Sequence, residues 1–339
     1  MITGIPLEQH RPDWQRQMAE AISDPDELLR LLDLEHLTPS VAQHLNEFRL
    51  KVPMAFIQRM RKGDPDDPLL KQVLPLKVEN EQFSGFGYDP VGDLKAMAVP
   101  GLLHKYAGRA LLTVTGACGI HCRYCFRRHF PYAESNPVRD DWTAVLEYLH
   151  QDEEIKEIIL SGGDPLVMTD SRLSALVEQL EAIPQLQRLR LHTRMPVILP
   201  DRVNKELLEW LSQTRFDTVM VVHINHASEI GPALLNSLIR LKNSGIQLLN
   251  QAVLLKGIND TLIAQIELSE ALFHGGVLPY YLHLLDRVQG AAHFEVSEAA
   301  ALDLYEALRR HLPGYLLPRM VREISGQPYK TPAPFHNEL

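Results

Sequence analysis

One stretch of eight residues, Cys118-Gly119-Ile120-His121-Cys122-Arg123-Tyr124-Cys125, holds all three cysteines of the chain in the spacing C-x3-C-x2-C. An odd number of cysteines in one tight group excludes the disulfide framework of a small secreted fold. Thiolates are soft ligands that suit iron–sulfur clusters and zinc. A four-iron cluster held by three cysteines leaves one iron available to another molecule. The stretch therefore predicts a metal centre in a reducing compartment.

The residues alone leave two other interpretations of the cysteines open. A zinc ion could take His121 or His129 as its fourth ligand, although structural zinc normally draws its ligands from two separated pairs and the sequence has no second pair. Alternatively, the three thiols bind no metal and one of them is a nucleophile. Spacing and ligand softness favour the cluster over both.

The cysteines lie in the first loop of a regular alternation between strand-like and helix-like segments. After a longer first unit the strand-like runs recur roughly every 30 residues, which is the length of a βα unit. Six such units predict a parallel α/β architecture, a partial (β/α)6 barrel short of the eight units of a full barrel. The predicted strands are Ala110–Thr115, Glu157–Leu160, Arg188–His192, Thr218–Ile224, Gln247–Leu255 and Val277–Leu284. The predicted helices are Asp141–Gln151, Ser171–Ala182, Arg202–Ser212, Ser228–Ser244, Thr261–His274 and Ser297–His311.

The barrel units divide the chain into three predicted regions. Residues 1–105 form a helical N-terminal region with an irregular connector, in which Asp24-Pro25-Asp26-Glu27 has the residues of a helix start. Residues 106–312 form the partial barrel. Residues 313–339 form a C-terminal segment whose end, Ile324–Leu339, is rich in proline.

Composition and charge exclude several classes of protein. The 339 residues are 45% hydrophobic and 23% charged, which is ordinary for a globular protein. The net charge of -9 and the lack of a long basic run argue against nucleic acid as a partner. Apolar runs are strand-sized, and Met1–Gln9 lacks the basic and apolar regions of a signal peptide. We therefore expect a cytoplasmic protein that makes no use of a membrane.

Notable polar residues lie at the ends of the predicted strands, where the active sites of barrel folds lie, except that Gln251 lies within the fifth strand. They are the three cysteines, Ser161-Gly162-Gly163-Asp164, His192-Thr193-Arg194, His223-Ile224-Asn225-His226, Gln251 and Asp286-Arg287. Because the carboxyl ends of parallel strands meet at one mouth, these residues predict one large site.

The cysteine loop, with the aromatic Tyr124 directly before Cys125, resembles that of the radical S-adenosylmethionine superfamily. The turn Gly162-Gly163-Asp164 matches the superfamily's motif for the methionine amino group. Over about residues 100–335 the chain resembles the lysine 2,3-aminomutase family. Its short length and the Asp24–Leu32 helix are most similar to the members that supply (R)-β-lysine for bacterial elongation factor P. The matching stretches are Cys125–Arg128, His192–Val197, His223–His226, Leu254–Asp260 and Pro279–Tyr281.

The resemblance implies three cofactors and the residues that bind them. Cys118, Cys122 and Cys125 would hold a [4Fe–4S] cluster. Lys330, in the stretch Ser325–Pro332, would form the Schiff base with pyridoxal 5'-phosphate, with Lys105-Tyr106 close to that cofactor. The residues on the S-adenosylmethionine side would be Ser161, Gly162, Gly163, Asp164, Arg194, His223 and Gln251. Longer family members carry extra cysteines for a structural zinc, which this chain lacks.

The resemblance also implies how a substrate is held. Arg127 would receive its carboxylate, and Asp286 with Glu323 would receive its distal ammonium group. The family has aspartate where this chain has Glu323, usually arginine where it has Lys105, and glycines where it has Gln327-Pro328-Tyr329. These departures concern substrate affinity more than reaction type.

The implied activity is conversion of L-lysine to β-lysine, in the R form, by a radical 1,2-amino shift. A separate ligase would use the product on elongation factor P, and a donor such as flavodoxin would supply the electron. Alternatives are an aminomutase for glutamate or arginine, a zinc-binding scaffold, and an iron–sulfur electron carrier. The acid pair argues for a cationic substrate, and Lys330 argues against a carrier. The sequence leaves the oligomeric state open, a homo-oligomer included.

Overall fold

A ten-stranded sheet organises the structure, a computed structural model that describes residues 13–42, 48–132 and 142–333. Its strands lie side by side in chain order. They are β1 Met97–Val99, β2 Leu102–Tyr106, β3 Arg109–Thr115, β4 Glu157–Gly162, β5 Arg188–Thr193, β6 Asp217–His223, β7 Gln247–Val253, β8 Leu278–His283, β9 Arg319–Arg322 and β10 Thr331–Pro332.

The centre of the sheet is parallel and its two edges are antiparallel. Strands β3 to β9 pair in parallel, while β1 and β2 form a hairpin at one edge and β10 pairs antiparallel with β9 at the other. Strands β3 to β8 correspond to the six predicted strands, each followed by helix before the next strand. The prediction of an α/β partial barrel is therefore confirmed, with a seventh parallel strand added.

Helices cover the sheet and fill the N-terminal region. The α-helices are α1 Asp13–Ala19, α2 Pro25–Leu31, α3 Met54–Ile57, α4 Pro68–Lys71, α5 Thr143–Gln151, α6 Asp170–Glu181, α7 Met195–Ile198, α8 Lys205–Gln213, α9 Pro232–Asn243, α10 Leu262–His274 and α11 Glu298–His311. Asp24 caps α2 as predicted, since its side chain accepts a hydrogen bond from the backbone of Asp26.

The prediction of one helix over Ser228–Ser244 is wrong. A short 3-10 helix, Ala227–Glu229, ends before α9 starts at Pro232. Proline lacks the backbone N–H that a continuing helix needs and disfavours helical backbone in Gly231 before it. The break directs Glu229 into the interior.

The prediction of a helical and irregular region up to residue 105 misses the β1–β2 hairpin. Pro100-Gly101 connects the two strands, and Gly101 has a φ of +81°, as the third residue of a type II turn requires. One sheet thus crosses both predicted region boundaries, because β2 spans residue 105 and β9 and β10 belong to residues 313–339. The division into 1–105, 106–312 and 313–339 stays a proposal about sequence regions.

One hydrophobic core joins the N-terminal helices to the barrel. It includes Trp14, Leu28 and Phe56 together with strand residues such as Leu160 and Met320. None of the helices in the described ranges is long and apolar enough to cross a membrane. The predictions for Met1–Gln9, for the start of the helix at Asp141 and for the last six residues concern parts of the chain outside those ranges.

Candidate active site

Residues of the N-terminal region form hydrogen bonds with the cysteine loop. Lys51 donates from Nζ to the carbonyl of Cys118 at 2.8 Å, and the backbone N–H of His121 donates to the carbonyl of Lys51 at 3.0 Å. Nδ1 of His121 lies 2.7 Å from the carbonyl of Arg49. The loop is therefore fixed on both sides of Gly119-Ile120.

A buried ion cluster fixes the next part of the loop. Glu79 accepts from Nε of Arg123 at 3.0 Å and from Nη2 of Arg128 at 2.9 Å, and the side chains of Glu79 and Arg123 have no exposed surface. Buried charges are tolerated when they are paired and fully hydrogen-bonded. Sequence reasoning missed Glu79, because nothing local distinguishes an acid in an irregular connector from a surface charge.

The environment of the cysteine loop disfavours the thiolate forms of Cys118 and Cys125. Burial, and then the neighbouring thiol of Cys122, raise the pKa of Cys125 to about 11. Burial and Cys125 raise the pKa of Cys118 well above its ordinary range. Thiols held together in this way ionise readily only when a cation compensates the charge.

The turn after β4 packs directly against the chain that leads to Cys118. Gly163 donates from its backbone to the carbonyl of Thr115 at 2.7 Å, and Asp164 to that of Ala117 at 2.9 Å. A Cβ atom on Gly163 would lie 2.3 Å from the carbonyl oxygen of Ala117. Gly162 has a φ of +117°, which side-chain-bearing residues rarely adopt. Both glycines are therefore required by a close approach of two backbones.

The Asp164 carboxylate ties this turn to the loop after β5. It accepts from the Thr193 hydroxyl at 2.7 Å, from the backbone of Arg194 at 2.6 Å and from that of Leu166 at 3.0 Å. Burial raises its pKa to about 6 despite these donors. Ser161, also predicted for the S-adenosylmethionine side, is buried at the end of β4.

Arg194 connects the cysteine loop to Gln72, at the end of α4, and to Glu229, in the loop after β6. Its Nη1 donates to Sγ of Cys122 at 2.7 Å and to the Tyr124 hydroxyl at 2.8 Å. Its Nη2 donates to Gln72 at 2.6 Å and to Glu229 at 2.9 Å. Sequence reasoning found Arg194 but missed its partners Gln72 and Glu229, which are distant in the chain.

His223 lies beside this group. Its Nε2 is hydrogen-bonded to the Tyr124 hydroxyl at 3.0 Å, and the two rings stack with centroids 5.7 Å apart. Burial and the charge of Arg194 lower the pKa of His223 to about 3, so the imidazole is neutral. Gln251 is the register partner of His223 on β7.

The C-terminal hairpin of β9 and β10 places Lys330 beside Glu323. Thr331 pairs with Arg322 where β10 runs beside β9, so Lys330 and Glu323 face each other across the start of the hairpin loop. Their side chains form an ion pair. The side chain of Lys330 is 20% exposed, whereas Ile324 to Tyr329 are exposed. The side chain of Lys330 is thus largely buried, although the residues before it in the proline-containing segment are exposed.

A chain of alternating charges joins Lys330 to Arg127. Glu323 also binds Lys105 at 2.8 Å, Lys105 binds Asp93 at 2.6 Å, and Asp93 binds Nε of Arg127 at 2.6 Å. Burial alone would raise the pKa of Glu323, but the charges of Lys330 and Lys105 outweigh it and hold that pKa below its usual range. Asp93 was missed because it follows Gly92 in a connector without periodicity.

Arg127 and Tyr106 complete this half of the site. Nη1 of Arg127 lies 3.4 Å from the Ser161 hydroxyl, which brings the predicted carboxylate-binding residue to the Gly-Gly-Asp turn. Tyr106 lies under the guanidinium of Arg109, 4.7 Å from ring centroid to Cζ. Burial and Glu323 raise the pKa of Tyr106, so its hydroxyl stays protonated.

Asp286 lies with Glu323 in a cleft of about 420 Å³. Burial, and then the charge of Glu323, raise the pKa of Asp286 to about 7. The two acids predicted to receive an ammonium group therefore share one cleft. Phe86, Gly87 and Arg322 also line it.

Comparison with known proteins identifies the family. Residues 112–266 match the model of the Radical SAM superfamily. The L-lysine 2,3-aminomutase of Escherichia coli (strain K12) is 48% identical over 324 residues, covering 95% of this chain and 94% of that protein. The chain belongs to the L-lysine 2,3-aminomutase family. The enzyme of that name from Haemophilus influenzae is 46% identical, covering 96% of this chain and 97% of that protein. The one from Clostridium subterminale is 31% identical, covering 94% and 77%.

Membership in the aminomutase family makes the chain an isomerase that uses a [4Fe–4S] cluster, S-adenosylmethionine and pyridoxal 5'-phosphate. The cysteine loop fits the cluster by its donor set of three soft thiols. In the described ranges no three acidic, histidine or cysteine side chains converge as ligands of a single metal ion. A four-iron cluster does not require such convergence, because each cysteine binds a different iron.

The other end of the site fits pyridoxal phosphate. Lys330 supplies an amine that can bond covalently to the cofactor. Nε2 of His192 is buried and has no hydrogen-bond partner within the described ranges. Burial and the charges of Arg190 and Lys330 lower the pKa of His192, so a neutral imidazole is available to a polar ligand beside Lys330.

Proposed function

We propose that this aminomutase converts L-lysine to β-lysine. The observation that carries the proposal is the joining of two half-sites by the ion chain Lys330–Glu323–Lys105–Asp93–Arg127. One half offers an amine for pyridoxal phosphate beside a pair of acids. The other offers three thiols beside the Gly-Gly-Asp turn. The relatives named L-lysine 2,3-aminomutase support this assignment.

In this proposal each group keeps its predicted binding residues. Cys118, Cys122 and Cys125 hold the cluster, and Lys330 holds pyridoxal phosphate, with Lys105 and Tyr106 beside it. The residues on the S-adenosylmethionine side are Ser161, Gly162, Gly163, Asp164, Arg194, His223 and Gln251. When bound, the cofactors supply the adenosyl radical and the electron delocalisation that the amino shift needs.

Arg127 and the acid pair orient the substrate. The guanidinium of Arg127 can bind a carboxylate through two parallel hydrogen bonds. Asp286 and Glu323 line the same cleft, so the distal end of a substrate there would meet two acids. A cation at the distal end of the substrate is therefore favoured here, whereas the side-chain carboxylate of glutamate would meet Asp286 and Glu323.

We extend the proposal to the product and the partners. The product is the R enantiomer, a separate ligase attaches it to elongation factor P, and a flavodoxin-type protein donates the electron. Resemblance of this short chain to the family members with that role supports the extension. We also propose that the enzyme works in the cytoplasm.

The test is an anaerobic assay with reconstituted enzyme and a panel of L-lysine, L-arginine and L-glutamate, followed by chiral analysis of the products. We expect (R)-β-lysine from lysine and no product from glutamate. If arginine is turned over faster than lysine, arginine is the substrate and the proposal is wrong. Formation of the S product would contradict the assignment of the R enantiomer.

A second experiment locates the covalent bond to pyridoxal phosphate. Borohydride treatment should fix the cofactor on the peptide that contains Lys330, and Lys330→Ala should abolish the labelling. Unchanged labelling in Lys330→Ala would move the bond to another lysine. Lys256→Ala, at an exposed lysine, is the matched control and should label like the wild type.

A further inference from the structure

We infer that Arg194 is a positioning residue that raises the reduction potential of the metal centre through Cys122, and that Glu229 lowers it. The inference rests on the proposed function, because it takes Cys122 as a ligand of the cluster. It assigns to Arg194 a role toward the cysteine loop, in addition to its predicted place on the S-adenosylmethionine side.

The contact between Arg194 and Cys122 is short and buried. Nη1 of Arg194 lies 2.7 Å from Sγ of Cys122, and the Arg194 side chain is 6% exposed. The position of Arg194 is fixed from the backbone as well, since its N–H donates to Asp164 at 2.6 Å. The guanidinium itself is held by Tyr124, Gln72 and Glu229 as well as by the sulfur.

Glu229 is the counter-charge of this guanidinium. It lies 2.9 Å from Nη2 of Arg194 and its side chain has no exposed surface. Its Oε1 accepts from the backbone of Asn225 at 2.9 Å, from that of His226 at 3.1 Å and from Gln72 at 3.2 Å. Burial opposes its ionisation, but Arg194 and these donors outweigh burial and keep the pKa of Glu229 below its ordinary value. Glu229 thus carries a fixed negative charge behind the arginine.

The two charges act on reduction in opposite directions. Reduction adds an electron to the cluster, so its thiolate sulfurs become more negative. A cationic donor bonded to a sulfur stabilises that reduced form more than the oxidised form, and hydrogen bonds to the sulfurs are among the factors that set cluster potentials. Glu229 binds the other end of the guanidinium, away from the sulfur. Its negative charge offsets part of the stabilisation that Arg194 gives the reduced cluster, because charges interact strongly in a poorly solvated interior.

The experiment is an anaerobic redox titration of the full-length, cluster-loaded enzyme without S-adenosylmethionine, with the reduced fraction followed by electron paramagnetic resonance. Arg194→Gln should lower the ratio of reduced to oxidised cluster at a fixed potential by about tenfold, equivalent to about 59 mV for one electron. Glu229→Gln should shift the ratio in the opposite direction, because Arg194 then acts without its counter-charge. Arg194→Lys, which keeps the cation, should recover at least half of the loss.

Arg202→Gln is the matched control. Arg202 is also a buried arginine in an ion pair, but its hydrogen bonds go to Asp170 and to the carbonyls of Leu166 and Met168. A purely structural effect of losing a buried guanidinium would appear in this variant too. We expect its potential to match that of the wild type.

The outcomes separate this inference from the proposed function. Shifts of Arg194→Gln and Glu229→Gln in the same direction, or no shift in either, would overturn the inference. If Arg194→Gln fails to hold iron, the potentials of Glu229→Gln and Arg194→Lys provide the test. An unchanged potential in Glu229→Gln then overturns the inference. A wild-type protein that assembles no four-iron cluster would instead overturn the proposed function, and iron analysis before the titration shows which has failed.

Discussion

Replacing Asp286 by asparagine should remove most of the pH dependence of L-lysine binding near neutrality. Burial and the charge of Glu323 raise the pKa of Asp286 to about 7, whereas Glu323 itself has a pKa below its usual range. One acid of the pair is therefore charged throughout, and the other gains its charge between about pH 6 and pH 8. The ammonium group of lysine, with a pKa of about 10.4, stays charged over that range.

The magnitude follows from the charge that Asp286 gains. Below its pKa, each pH unit should strengthen the interaction with the ammonium group by up to about tenfold, and the gain should level off above pH 8. A hydrogen bond to a charged group contributes about 1.5–3 kcal/mol net. Asp286→Asn should therefore weaken lysine binding at pH 8.5 by roughly 10- to 100-fold. At pH 5.5 the wild type and the variant should bind almost equally.

The assay is calorimetric titration of L-lysine into cofactor-loaded enzyme without a reductant, from pH 5.5 to pH 8.5. The ratio of the two affinities is the readout, because other pH effects on lysine and pyridoxal phosphate act on both proteins alike. Glu323→Gln should move the midpoint to lower pH, since the charge of Glu323 raises the pKa of Asp286. A constant ratio between wild type and Asp286→Asn across this range would refute the reasoning.

The same raised pKa affects stability with a defined sign. The folded state keeps the Asp286 proton that the unfolded chain releases near pH 4, so this contribution to stability is complete below pH 4 and is lost as pH rises through 7. This contribution amounts to at most about 4 kcal/mol, and exposure of the cleft to solvent reduces it. Asp286→Asn should then resist urea better than the wild type at pH 8, and this advantage should shrink steadily as the pH is lowered from 7 towards 4. Lower resistance of the variant at pH 8 would contradict the assigned pKa.

Two further variants test the support of the cysteine loop. Gly163→Ala places a Cβ atom against the backbone before Cys118 and should reduce iron incorporation. Gly314→Ala, with open space around its Cβ, is the control and should incorporate iron normally. Equal iron contents in the two variants would contradict the close approach of the two backbones. Glu79→Gln leaves buried guanidinium groups such as that of Arg123 without their counter-charge and should lower the free energy of unfolding by about 3–5 kcal/mol, measured by urea titration. Glu306→Gln, which breaks an exposed ion pair, is its control and should show no measurable change, so equal losses would refute the assignment.

The parallel strands and their loops could be predicted because their signals are local. Each strand of the barrel is a short β-prone run, and each site loop follows such a run directly. The C-x3-C-x2-C spacing and the Gly162-Gly163 turn are local in the same sense. The Pro100-Gly101 hairpin was also visible in the sequence, but the surrounding glycines and prolines suggested an irregular connector.

The buried acids could not be predicted because their roles depend on contacts between distant segments. Asp93 binds Arg127 across 34 positions of sequence, and Glu229 binds Arg194 across 35. Each looks locally like a solvated charge. The inward position of Lys330 likewise depends on β9 and β10, which are too short to give a periodic signal. Resemblance to a family identified Lys330, whereas local physical chemistry would have placed it on the surface.

The central claim is that the three cysteines and Lys330 serve one lysine aminomutase site. The most direct test measures β-lysine formation from L-lysine by the anaerobically reconstituted enzyme and by a variant with Cys118, Cys122 and Cys125 all changed to alanine, with S-adenosylmethionine, pyridoxal phosphate and a reductant present. We predict sustained formation of β-lysine by the wild type, and neither cluster absorption nor product in the variant. Formation of β-lysine by the variant would contradict the account.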